Sequence, residues 1–127
     1  GRTALALAAV CGHLKTVELL IGVQGVDTQC FNSKGRSPLI AASLEGHVQV
    51  LDAVQLLLGV DGIDVNASHW QDGTALAQAS IQGHIDIVKL LLQQEDIDVN
   101  SSQSKEGSAL MQAAYGGQKD VVELLLQ

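Results

Sequence analysis

Residues 73–100 read GTALAQASIQGHIDIVKLLLQQEDIDVN, and the order of features in this stretch decides the fold. Thr74 carries an oxygen that can accept a bond from an unpaired backbone N–H at a helix start. Nine residues later, Gly83 can take the left-handed conformation that closes a helix without steric penalty. Beyond it, Ile85, Val88 and the triplet 90–92 recur at helical spacing with Lys89 turned outward, which predicts an amphipathic second helix. The Asp98-Val99-Asn100 segment and the polar residues up to Glu106 read as an extended stretch and turn. A helix pair this small cannot bury its apolar stripe alone.

The same unit recurs along the chain. Its hydroxyl stands at Thr3, Ser37, Thr74 and Ser108, in steps of 34, 37 and 34. Each is followed two positions on by Leu5, Leu39, Leu76 or Leu110, and nine positions on by Gly12, Gly46, Gly83 or Gly117. Pro38, directly after Ser37, suits a first helical position. Apolar triplets close the second helices at 19–21, 56–58, 90–92 and 124–126, and Asp27, Asp64 and Asp98 follow the first three. These landmarks divide the chain into 1–34, 35–71, 72–105 and a partial fourth unit, 106–127. The second unit is three residues longer, because Gly46 and Leu56 lie 10 positions apart where Gly83 and Leu90 lie 7 apart. Three residues add about 300° of helical rotation rather than a whole turn, so a longer inter-helix loop or an irregular first turn is expected near 48–51.

The segments GRTALALAAVCGHLKTVELLI, GRSPLIAASLEGH, GHIDIVKLLL and IDVN resemble the turn, T-P-L-H-x-A-A, G-H and D-V-N elements of the ankyrin-repeat family. The resemblance covers essentially the whole chain. It departs from the family where the usual His is replaced by Ala6, Ile40, Ala77 and Met111. It implies an all-α solenoid of stacked antiparallel helix pairs with projecting hairpin loops, stabilised at neighbour interfaces. The apolar first helix ALALAAV and the missing closing loop of the last unit add an expectation of further structured chain before residue 1 and after 127.

Composition agrees and excludes several classes. The chain of 127 residues is 46% hydrophobic but 2% aromatic, which suits close helix packing through small side chains better than strands. A net charge of −7 would repel a phosphate backbone or an anionic membrane leaflet, so nucleic acid is not the expected partner. The longest apolar run, 4–11, is 8 residues, far short of the roughly 20 that span a bilayer. Cys11 and Cys30 form no CxxC or metal-ligand pattern, and the reading is an intracellular, reducing, cytoplasmic setting with the nucleus still open.

No catalytic constellation is visible. His13, His47 and His84 follow the glycines, but stacked helix pairs would hold them about 8–10 Å apart, whereas a shared zinc needs each nitrogen about 2.0–2.1 Å away. The acidic segments 61–66 and 95–100 lack the alternating oxygen ligands of a calcium loop. Neither a phosphate-binding glycine loop, a nucleophile elbow nor HExxH occurs, so no cofactor, metal or enzymatic activity is expected. By family resemblance, Asn66 and Asn100 are minor candidates for asparagine hydroxylation.

The binding candidates are stronger. With Leu5 facing the core, 100° per residue turns the position seven after the hydroxyl away from it. That position holds Val10, Leu44, Ile81 and Tyr115, where the resemblance puts a concave, ligand-facing groove. Trp70 falls at a hairpin tip by spacing, and an exposed Trp is a strong interface anchor. Trp70, His69, Leu44, Ile81 and Tyr115 form the expected patch, with Lys34, Arg36 and Lys105 as a rim for acidic groups on a protein partner. The expected function is therefore a protein-interaction module or scaffold. The alternative is the regulatory or targeting arm of a larger enzyme or channel.

Overall fold

A computed structural model describes residues 4–23, 36–45, 48–101, 105 and 107–127. The expectations placed on Thr3, Asp27, Cys30, Lys34, Gly46, His47 and Glu106 lie outside these residues. The chain divides into two compact units, Gly1–Asp64 and Val65–Gln127.

The first unit contains α1 (Ala4–Val10), α2 (Leu14–Ile21), α3 (Pro38–Ser43) and α4 (Val48–Leu58). α1 packs on α2, α3 packs on α4, and the two pairs stack through α1 against α3 and α2 against α4. The second unit contains a short antiparallel hairpin, β1 (Ser68–His69) and β2 (Gly73–Thr74), with Ser68 opposite Thr74 and His69 opposite Gly73. It leads into α5 (Ala75–Gln82), α6 (Ile85–Leu92), α7 (Ala109–Tyr115) and α8 (Lys119–Leu125). Here α5 packs on α6 and α7 on α8, and the pairs stack through α5 against α7 and α6 against α8.

Helix starts follow the hydroxyl reading. Ser37 Oγ accepts the N–H of Ile40 at 3.2 Å, Thr74 Oγ1 that of Ala77 at 3.2 Å, and Ser108 Oγ that of Met111 at 3.4 Å. Each satisfies a donor that the first helical turn leaves unpaired. The stops are equally regular. At Gly83 the backbone has φ +75°, and the N–H groups of Gly83 and His84 donate to the carbonyls of Ser80 and Ala79, the pairing of a Schellman closure. His84 then has φ −80° and ψ 75°, and Ile85 N–H bonds the Gly83 carbonyl at 2.9 Å, an inverse γ-turn that reverses the chain into α6. Gly12-His13 and Gly117-Gln118 repeat the same two-step turn.

Small first helices allow the close stacking. Ala8, Ala9, Ala41, Ala42, Ala79 and Ala113 are buried, and the hydroxyls of Ser43 and Ser80 donate to the carbonyls of Leu39 and Leu76, four residues back. Among the described glycines, Gly116 makes the tightest approach to another backbone, since a Cβ there would lie 2.6 Å from the Ile81 carbonyl oxygen. The second helices supply the larger apolar groups: Val17 in α2, Val54 and Leu57 in α4, Val88 and Leu91 in α6, all 0% exposed.

The three-residue excess of the second unit is helical, which corrects the expectation of a loop or irregular turn near 48–51. α4 runs for 11 residues, where α2 and α6 run for 8. The reason lies in the apolar phase. Val50, Ala53, Val54 and Leu57 are all fully buried, an i, i+3, i+4, i+7 set that continues one stripe through the added residues. A rotation 60° short of a full turn stays within the roughly 100° width of such a stripe.

Candidate functional site

The β1–β2 hairpin presents the largest exposed aromatic of the described residues at its tip. Trp70 is 70% exposed, and its ring lies 5.7 Å from that of His69 at 47°. The backbone beneath it is fastened at several points. The Trp70 carbonyl accepts the N–H of Lys105 at 3.0 Å, so the following loop is hydrogen-bonded to the hairpin tip. Gln78, buried in α5, donates its side-chain amide to the Asp72 carbonyl at 2.6 Å, tying the hairpin to the helix it introduces.

His69 does not join the patch expected of it. It is only 7% exposed, and its Nδ1 lies 2.9 Å from Asp72 Oδ2 and 3.2 Å from the Asp72 backbone N. One nitrogen can donate to the carboxylate or accept from the amide, not both at once. In either role the imidazole braces the three-residue tip. The sequence did not reveal this because β1 is only two residues long, with Ser68 half-buried and His69 buried, while Trp70 stands on the turn beyond it.

Further along, Asn66 bridges two loops. Its Nδ2 donates to the Asp96 carbonyl at 2.6 Å, and its Oδ1 accepts the Asp98 N–H at 2.7 Å. Asp98 Oδ1 in turn accepts the N–H of Asn100 at 3.1 Å, a local Asx turn. The D-V-N elements therefore join one loop to the next, and Asn66 spends both ends of its amide on backbone. The signal for this was present in the recurrence of Asp-Val-Asn, but periodicity does not say which loop an amide reaches.

The position seven after the hydroxyl divides in the structure. Tyr115 is 86% exposed on α7, whereas Val10, Leu44 and Ile81 are half-buried. The Ile81 carbonyl accepts the Gln118 side-chain amide at 3.1 Å and faces Gly116. Gln118 stands where His84 stands one unit earlier, so it supplies an inter-helix bond from a position that carries His in the other units. Among the rim cations, Lys105 is exposed and Arg36 half-buried; Lys34 lies outside the described residues. Among the described residues, no three His, Cys, Asp or Glu lie close enough to hold a metal ion. In the same set, no helix is long and apolar enough to cross a membrane.

The comparison with protein families matches two overlapping segments, residues 1–69 and 49–127, to the family described as ankyrin repeats (3 copies). Similar proteins include ankyrin repeat domain-containing protein 63 of Homo sapiens and of Mus musculus, each 46% identical over 52 residues, 41% of this chain and 13% of theirs. An ankyrin repeat and KH domain-containing protein of Caenorhabditis briggsae is 39% identical over 51 residues, 40% of this chain and 2% of that protein. The matched stretch is thus a small fraction of each relative's length.

Proposed function

Because this chain belongs to the ankyrin-repeat family, whose repeats are generally protein–protein interaction modules, we propose that it binds a protein partner through the hairpin tip of its second unit. The carrying observation is Trp70: a large aromatic side chain left 70% in solvent on a backbone fixed by Lys105, Gln78 and His69. A rigid mount lowers the ordering cost of binding, and Trp is the residue type most enriched at interface hot spots. Lys105 beside it supplies a cation for acidic groups on the partner. Tyr115 on α7 is a second exposed aromatic of the same unit. Val10, Leu44 and Arg36 give the first unit a half-buried, less accessible counterpart. Binding rather than catalysis is the activity we assign, with repeats bounded at 1–34, 35–71 and 72–105 and a partial fourth at 106–127. We assign a reducing, intracellular setting because the two cysteines form no regular disulfide framework.

The test is affinity capture with the purified chain, read by mass spectrometry against a Trp70→Ala chain of unchanged circular dichroism. Proteins retained by the first and lost from the second support the reading. An identical retained set removes the hairpin tip from the site.

A further inference from the structure

A shallow groove of about 340 Å³ runs between the ends of α2 and α4, with both walls inside the first unit. It is lined by Glu18 and Ile21 of α2, Gln55 and Leu56 of α4, and Gly59 and Val60 just beyond α4. Ile21, Leu56 and Val60 are half-buried, whereas Glu18, Gln55 and Gly59 are exposed. The apolar side chains therefore make the floor and the polar ones the rim. Gly59 keeps the floor open without any backbone need for glycine. A Cβ there would sit 3.5 Å from the Leu56 carbonyl oxygen, an ordinary contact.

The second unit fills the same positions differently. Gly22-Val23 and Gly59-Val60 follow α2 and α4, where Gln93-Gln94 follows α6. α6 carries Lys89 in its last turn, at the position held by Glu18 in α2 and Gln55 in α4, and neither α2 nor α4 has a basic residue in its last turn. Each helix end presents the negative pole of its backbone dipole, which favours a cation within the last turn. Glu18 adds a carboxylate at the rim, and the net charge of −7 acts in the same sense over a longer range. Lys15 Nζ lies 3.8 Å from Glu18 Oε2, but the two side chains are 92% and 46% exposed. A contact of that kind contributes little and gives way to a closer cation.

We propose that this groove takes a basic, leucine-flanked segment of a protein partner. The head of an Arg reaches Glu18 and the helix ends, while its stem and a neighbouring leucine cover Ile21, Leu56 and Val60. Arg suits both demands, because its guanidinium is weakly hydrated and forks onto a carboxylate while its stem packs on apolar surface. A bare metal ion would leave the floor wet, and an acidic segment would meet like charge. The surface does not include Trp70 and stands or falls apart from the hairpin proposal.

The test is an amide NMR titration of the 127-residue chain with two capped tetrapeptides, Leu-Arg-Arg-Leu and Leu-Glu-Glu-Leu. Each is added to about 10 mM, since a short flexible peptide is expected to bind in the millimolar range. The expected result is saturable shifts of the Gly22, Gly59 and Val60 amides with the Arg peptide and none with the Glu peptide. Binding should weaken as salt rises from about 0.02 M to about 0.15 M. Glu18→Lys and Gly59→Gln give the groove the residues the second unit carries at Lys89 and Gln93, and each should weaken the Arg peptide at least about tenfold. Both positions are exposed, so folding should survive, as circular dichroism checks; Val60→Gln replaces Gly59→Gln if helicity is lost. No saturable shift, an equal response to both peptides, or undiminished binding by the variants overturns the proposal. Shifts confined to other surfaces overturn it too; were they at Trp70, the hairpin reading would still stand.

Discussion

Within the second unit, the helical layer and the loop edge are held by different physics. α5 to α8 are joined by apolar groups with no net direction: Leu76, Ile87, Val88 and Leu91 are each at most 1% exposed. The hairpin and the loop after α6 bury little of that kind and are joined by directed bonds. These run from Asn66 to Asp96 and Asp98, from Gln78 to Asp72, and from Lys105 to Trp70. The lesson is a division of labour. Helix contacts carry most of the stability, whereas the polar loop bonds fix position and leave the largest ring free for a partner.

Substitutions can break or sharpen that contrast. The largest effect belongs to the helical layer: Leu91→Ala, at a fully buried site, should lower unfolding free energy by about 2–5 kcal/mol in urea denaturation. A cost below about 1 kcal/mol would show that the layer is loosely packed. Next, Asn66→Ala leaves the Asp98 N–H and Asp96 carbonyl without their partner and should cost about 1–3 kcal/mol. Faster hydrogen exchange at the Asp98 amide is the site-specific readout, and unchanged exchange there would show that water replaces the side chain fully.

Thr74→Ala removes the cap of α5 and should cost about 1 kcal/mol, measured as a small drop in melting temperature. Trp70→Ala should be the mildest, within about 0.5 kcal/mol, because its ring is largely in solvent. Its effect should appear in partner retention instead. A large loss of stability from Trp70→Ala would mean that the ring packs the hairpin and would dissolve the contrast between edge and layer.

Much of the fold was legible because each landmark has a local cause. A hydroxyl caps, a left-handed glycine stops, and a leucine stripe faces inward; these need no knowledge of distant partners. Two features were not legible for the same reason. The length of α4 depended on whether Val50 would find a buried place, which rotation arithmetic alone does not decide. The inward turn of His69 depended on the pairing of a two-residue strand, too short to leave a periodic trace. Trp70 was legible as a tip residue by spacing.

The Asn66 bridge has a kinetic corollary. With both its oxygen and its nitrogen bound to a neighbouring loop, the half-buried carboxamide has to give up those bonds before any chemistry that needs its lone pair or its N–H. Its reaction rate then tracks the fraction of time the edge stands ajar. That would make this one asparagine a built-in reporter of breathing between adjacent loops.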